Sequence, residues 1–317
     1  MGALLFGLGI SPSAAPGADP VGAARAAEEL GFDFVGTNDH PHGSSPSFEA
    51  WTLLTWIAAA TSRVRVATRV LATPLRSPPV VAKMAESLDR LSGGRLILGL
   101  GGGSMDEELA AFGLGVRSPR DKVDGLEEAI RILRGLWSQE TFSLSGRLDR
   151  TEGARIEPKP GHHIPIWLGT YGNRALAVTG RLADGWIPSL GFASPGQIPA
   201  MRDRVLVAAR DAGRDPAEIT CAFNLAVRVD DHAQPQPNTV TGPPDAVAER
   251  LLGFLELGFT ALNFIPAAPT RPSRPSAWPS RCCRRCAPPS SRRAAGSWWW
   301  SSSRPGSWSR WSSRWWW

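Results

Sequence analysis

Along most of the chain, short apolar or β-branched runs alternate with longer stretches whose apolar positions recur at helical spacing. The clearest unit runs from Val64 to Gly103. It has a β-branched run Val64 to Leu71, a helical stretch Pro78 to Leu91 and a second apolar run Leu96 to Leu100. Each run ends in small or polar residues, as the strand–helix–strand units of a parallel sheet do. Ser92-Gly93-Gly94-Arg95 closes the helix, and Gly101-Gly102-Gly103 opens the opposite end. Further strands are predicted at Leu5 to Ile10, Phe32 to Gly36, Ile164 to Leu168, Asp184 to Ile187, Ile219 to Val229 and Phe259 to Ile265. Helices are predicted over Asp19 to Leu30, Ser47 to Ala60, Arg120 to Gln139, Asn173 to Ala183, Pro195 to Ala212 and Pro244 to Leu257, with a short one from Asp106 to Phe112. Thr141 to Pro158 fits neither pattern and reads as an inserted hairpin or loop. Eight strands and seven main helices, ending on a strand, predict an α/β fold, a (β/α)8 TIM barrel over residues 1–269 that lacks its last helix.

From Thr270 the pattern stops. Residues 270–317 are a low-complexity Arg/Ser/Trp tail without Leu, Ile, Val or Phe, and they hold nine of the 14 tryptophans. A two-base shift of one permissible back-translation of Thr270 to Cys286 gives PAEPAQRVAEQVLPAL, an amphipathic helix, so the tail is read as out-of-frame and disordered. It also distorts the charge. The formal net charge of +6 includes ten tail arginines and no tail acid, leaving 25 basic against 29 acidic residues in the body. The body therefore makes no electrostatic case for nucleic acid. A basic, tryptophan-rich tail suits single-stranded nucleic acid or an anionic membrane, a reading ranked below the out-of-frame one. Cys221 is the only body cysteine, which excludes a disulfide framework and favours a reducing, cytoplasmic setting. No apolar run is long enough to cross a bilayer.

Candidate chemistry clusters where predicted strands end, the rim on which barrels place their sites. After the second strand comes Thr37-Asn38-Asp39-His40-Pro41. His40 is the leading catalytic candidate because imidazole exchanges a proton near neutral pH, with Asp39 or Asn38 to orient it. The competing reading has Asp39 and His40 merely capping a loop. Gly101, Gly102 and Gly103 would let backbone amides approach an anion, and Gly169-Thr170-Tyr171-Gly172-Asn173-Arg174 is the better anion loop because it opens a helix. Both loops also fit plain strand-to-helix turns. His162-His163 lies at the far end, and no carboxylate spacing makes it a metal site.

Residues 1 to about 268 resemble the bacterial luciferase-like oxidoreductases, which use flavin or the deazaflavin coenzyme F420. The resemblance is carried by Thr37-Asn38-Asp39-His40-Pro41, Val70-Leu71 with Pro74-Leu75-Arg76-Ser77-Pro78, Leu88 to Arg95 with Leu98-Gly99-Leu100-Gly101, Pro165 to Gly169, and Gly180 to Trp186. It implies a cofactor ring over the C-terminal mouth, backed near Thr68, Arg69 and Val70, where members often carry a non-prolyl cis peptide. Phosphate binding by Gly101 to Gly103 and Gly169 to Arg174 follows from it, as does a proton role for His40. Arg69 is bulky where many members have a small residue, and Ser104-Met105-Asp106 lacks the acidic residue that some deazaflavin-dependent sugar dehydrogenases place directly after the glycines. The activity so implied is an FMN-dependent monooxygenase acting on a small organic substrate, or alternatively F420-dependent hydride transfer; a non-catalytic flavin-binding paralogue is the reading of another class. A reductase supplying reduced FMN or F420 and a homodimer are the implied partners.

Overall fold

Strands form where apolar runs are covered on both faces, and three of the helices start where a side chain, Asp19, Glu49 or Ser118, accepts from their free amides. In the computed structural model, which describes residues 4–267, β1 (Leu5–Gly9) leads into α1 (Pro20–Glu29). There Asp19 accepts from the Gly22 amide at 2.7 Å and Pro20 occupies the first turn. Then come β2 (Phe34–Thr37), α2 (Ala50–Ala60), β3 (Arg65–Thr68), β4 (Leu71–Ala72) and α3 (Pro78–Ser92). They are followed by β5 (Leu96–Gly101), α4 (Asp106–Ala111) and α5 (Pro119–Ser138). A hairpin of β6 (Phe142–Ser145) and β7 (Arg150–Ala154) precedes β8 (Ile166–Leu168), α6 (Asn173–Leu182) and β9 (Gly185–Trp186). The described chain finishes with α7 (Ile198–Asp211), β10 (Thr220–Val229), β11 (Thr239–Gly242), α8 (Pro244–Glu256) and β12 (Ala261–Pro266). The expected aberrant tail, residues 270–317, lies outside the described residues.

Parallel pairing runs β1-β2-β3-β5-β8-β9-β10-β12, and β12 returns to β1 through Leu5 opposite Ala261. Among the described residues these eight strands close into a barrel with alternating helices, the TIM-barrel architecture. The strand predicted over Val64 to Leu71 is two pieces: β3 ends at Thr68, the Arg69–Val70 peptide is cis, and β4 resumes at Leu71 beside Leu100. β11, unforeseen, extends the sheet beside the distal half of β10. Its four residues are too short for alternation to reveal. The predicted insert is the β6–β7 hairpin.

Inside the barrel, Phe34, Ala67, Ile97, Trp167, Ala222 and Ala261 form one layer, with Phe34 edge-on to Trp167 at 5.5 Å. Above it the strands turn to glycine. At Gly99 a Cβ would stand 2.0 Å from the Thr68 carbonyl oxygen, so only glycine lets β3 and β5 approach there. The Thr68 hydroxyl completes that contact, donating to the Gly99 carbonyl at 2.7 Å and accepting from the Gly99 amide at 2.8 Å. Filled below and empty above, the barrel leaves its open volume at the C-terminal mouth.

Candidate active site

That volume is a cavity of about 490 Å³. Its wall includes His40 from the end of β2, Arg69 and Val70 after β3, Gly101 to Gly103 after β5, and Gly169 to Gly172 after β8. Segments far apart in sequence thus meet on one rim. Thr68, Asn173 and Arg174 do not line it. Thr68 is spent on Gly99, Asn173 opens α6, and Arg174 turns away to pair with Asp124. A second cavity of about 500 Å³ between α2 and α3 has one charged lining residue, Lys83, among apolar side chains, and offers no comparable chemistry.

His40 is partly exposed, and its Nδ1 lies 3.3 Å from Oε2 of Glu108 on α4. Glu108 is buried, and its other oxygen accepts the His42 amide at 3.0 Å. The imidazole is therefore oriented by Glu108, 68 residues on in the chain, where the sequence suggested Asp39 or Asn38. Asp39 lines the cavity but is committed elsewhere. It takes a two-point hydrogen bond from Arg76 at 2.7 and 2.9 Å and the Ala72 amide at 3.2 Å. Arg76 also grips Glu49 at 2.5 Å, and Glu49 caps α2 through the Trp51 and Thr52 amides. This ionic knot, buried at Asp39 and open to solvent at Glu49, ties β2, β4 and α2 together beneath the rim. Burial alone would lower the Arg76 guanidinium, but Asp39 and Glu49 outweigh it and hold it above its ordinary value.

Opposite His40 the wall is polar. The Ser189 amide donates to the Tyr171 hydroxyl at 3.0 Å, Asn224 Nδ2 donates to the Ser189 hydroxyl at 3.1 Å, and Asn263 Nδ2 donates to Asn224 Oδ1 at 2.8 Å. Burial, partly offset by its Ser189 contacts, raises the Tyr171 phenol above its usual range. Ser189, Asn224 and Glu108 carried no sequence signal, since a lone polar residue in an apolar segment has no spacing to betray it.

The two glycine loops differ. At Gly102 a Cβ would stand 3.0 Å from the Lys122 carbonyl oxygen, so that loop is pressed against α5. At Gly172 a Cβ would meet nothing within 4 Å, and no side chain caps the N-terminus of α6. Free helix amides facing open space are suited to an anion. Val70 lies between the loops: a Cβ on Gly101 would come within 2.8 Å of its Cγ2, and one on Gly169 within 3.3 Å. The missing side chains leave Val70 as an apolar surface.

Comparison with known proteins agrees with this fold. The sequence profile described as luciferase-like monooxygenase matches residues 4–236. An F420-dependent glucose-6-phosphate dehydrogenase of Kineococcus radiotolerans is 34% identical over 228 residues, 68% of this chain and 66% of that protein. A 5,10-methylenetetrahydromethanopterin reductase of Methanolobus tindarius is 29% identical over 259 residues, 78% of this chain and 74% of the reductase. The chain thus spans just under two thirds of the length of the dehydrogenase it matches. Among solved structures, an F420-dependent secondary alcohol dehydrogenase in complex with an F420-acetone adduct superposes with a TM-score of 0.76 at 20% identity, over 84% of this chain and 94% of the other, a likeness of fold. With its eight-stranded parallel barrel and a profile match across most of its length, the chain belongs to the luciferase-like monooxygenase family.

Proposed function

We propose that this chain is an oxidoreductase that uses F420 to move a hydride to or from a small alcohol or carbonyl substrate. The observation that carries the reading is the His40–Glu108 pair on the rim of a cavity bounded by two glycine loops. F420 is taken ahead of FMN because curated relatives at 34% and 29% identity are named as an F420-dependent dehydrogenase and a methanopterin reductase.

The residues fit such a group. The cavity volume falls within the range of about 300–1,000 Å³ usual for small-molecule sites. Val70 offers apolar surface to a planar ring, while Gly172 and the uncapped start of α6 have room for an anionic handle. Bound there, F420 would supply a two-electron hydride acceptor or donor. The chain's own part is the proton. When His40 Nδ1–H donates to Glu108, the tautomer is fixed and Nε2 is free to take a hydroxyl proton or return it. Glu108, held in turn by the His42 amide, is a positioning residue. Ser189 and Asn224 supply polar contacts for a substrate oxygen. The expected homodimer draws support from an exposed apolar strip on α2 and α3 that includes Trp56, Val80 and Leu91.

The test compares wild type with His40→Gln and Glu108→Gln. Both variants are expected to bind F420 as wild type does, while turnover with secondary alcohols falls by about 10²–10⁴-fold for His40→Gln. Glu108→Gln, whose amide no longer fixes one tautomer of the ring as the carboxylate does, is expected to lower kcat while leaving F420 affinity unchanged. Binding of FMN in place of F420, or undiminished turnover in His40→Gln, would refute the reading.

A further inference from the structure

Five ionisable side chains line the cavity: Asp39, His40, Arg69, Glu108 and Lys122. Four are matched. Asp39 meets Arg76, His40 and Glu108 meet each other, and Lys122 reaches Asp106 at 2.5 Å. Arg69 stands apart. Among the described residues its guanidinium has no ion-pair or hydrogen-bond partner, and its Nε is sealed from water with nothing to donate to.

The side chain's direction follows from the strand. Ala67 belongs to the inner layer of the barrel, so two residues on Arg69 faces the same interior. Its Cδ lies 3.5 Å from where a Cβ on Gly36 would stand, an ordinary contact distance that seats the side chain against β2. β2 and β3 are neighbours, which brings His40 and Arg69 to one sector of the rim. Burial draws the guanidinium down to about 10, still far above neutrality, so it keeps its charge. A cation withdrawn from water and left unmatched is costly, and such a group beside a binding cavity is completed when a ligand supplies the opposite charge.

We propose that Arg69 is the anion-recognition residue of this cavity, taking an oxyanion, carboxylate or phosphate in type, carried by the substrate or by the cofactor. Arginine suits such a group because its fork of donors meets two oxygens at once. If the substrate carries the anion, the substrate class narrows to small alcohols or carbonyl compounds bearing a carboxylate or phosphate, held by Arg69 with the reacting carbon toward His40. The inference deepens the proposed function and rests on its assignment of this cavity as the reacting site.

The test is calorimetric titration of the full chain and of Arg69→Gln with benzoate and with F420, alongside melting of both proteins without ligand. Relieved of an unmatched charge, Arg69→Gln is expected to melt about 2–4 °C above wild type. With the substrate as the source, benzoate binds wild type and weakens about tenfold or more in the variant, while F420 affinity holds. With the cofactor as the source, F420 affinity falls by that factor and benzoate competes with F420 on wild type. Failure of wild type to bind either probe, equal affinities in both proteins, or a variant that melts below wild type overturns the inference. Benzoate binding that depends on Arg69 in a chain indifferent to F420 and FMN would leave it standing and sink the proposed function. F420 binding and turnover untouched in Arg69→Gln, with benzoate equally indifferent, would do the reverse.

Discussion

At the scale of single residues, Glu108 takes the part that the sequence suggested for Asp39. Asp39 adjoins His40 in the chain yet spends both oxygens on Arg76 and the Ala72 amide, while Glu108 arrives from another segment to meet the imidazole. Proximity along the chain favoured Asp39, whereas only the closed barrel brings α4 over the end of β2. Asp39→Asn is accordingly expected to act through folding. It breaks a buried charge pair at a cost of about 3–5 kcal/mol, which urea unfolding measures, and a variant as stable as wild type would refute the structural role. A second carboxylate ties α1 to the turn before β3. Burial pushes Glu28 up, but amides donated by Arg63, Val64 and Ser62, with the Arg63 charge, outweigh it and hold the carboxyl at about 2. Its folded pKa is depressed, so the stability it lends is present above the ordinary carboxylate range and disappears as pH falls through about 2. Glu28→Gln should therefore melt below wild type near neutrality, with the gap closing below about pH 4. A gap constant with pH would contradict this.

At the scale of elements, strands and helices were legible because each follows a period that a buried sheet or an amphipathic helix imposes. Asp19-Pro20 marked the start of α1, and Gly93, in the left-handed conformation, the end of α3. What the pattern missed is where an interruption or brevity overrides it. The apolar run Val64 to Leu71 looks continuous, yet β3 ends at Thr68 and β4 begins at Leu71, with Arg69 and Val70 between them on the cavity wall. The Gly99 contact on the adjoining strand is a clean test of this packing. Gly99→Ala would place a methyl 2.0 Å from the Thr68 carbonyl oxygen, so the strands must part. The expected cost is about 1–3 kcal/mol with weakened cofactor binding. Gly31→Ala, where a Cβ meets nothing within 4 Å but φ is +84°, is the control, affecting stability and leaving binding intact. Loss of cofactor binding in both, or in neither, would contradict a packing role at Gly99.

At the scale of the molecule, the barrel brings together what the sequence could only propose separately. His40, Gly102 and Gly172 leave different strands and line one cavity. The barrel and its candidate rim were legible because strand ends, glycine loops and ionisable residues coincide in sequence. The charge balance inside the cavity was not, because pairing is a property of the closed fold. Lys122 looks free on its helix and is bound to Asp106, while Arg69 looks like one strand residue among many and is the wall's unmatched charge. The central claim is that this mouth holds a planar redox cofactor with its anionic handle at the start of α6. The most direct measurement is titration of the full chain with F420, followed by its fluorescence, beside Gly172→Asp, whose carboxylate would face the same helix amides. Saturable binding by wild type that weakens about tenfold or more in the variant is the predicted result; no binding by wild type, or equal binding by both, would contradict the account.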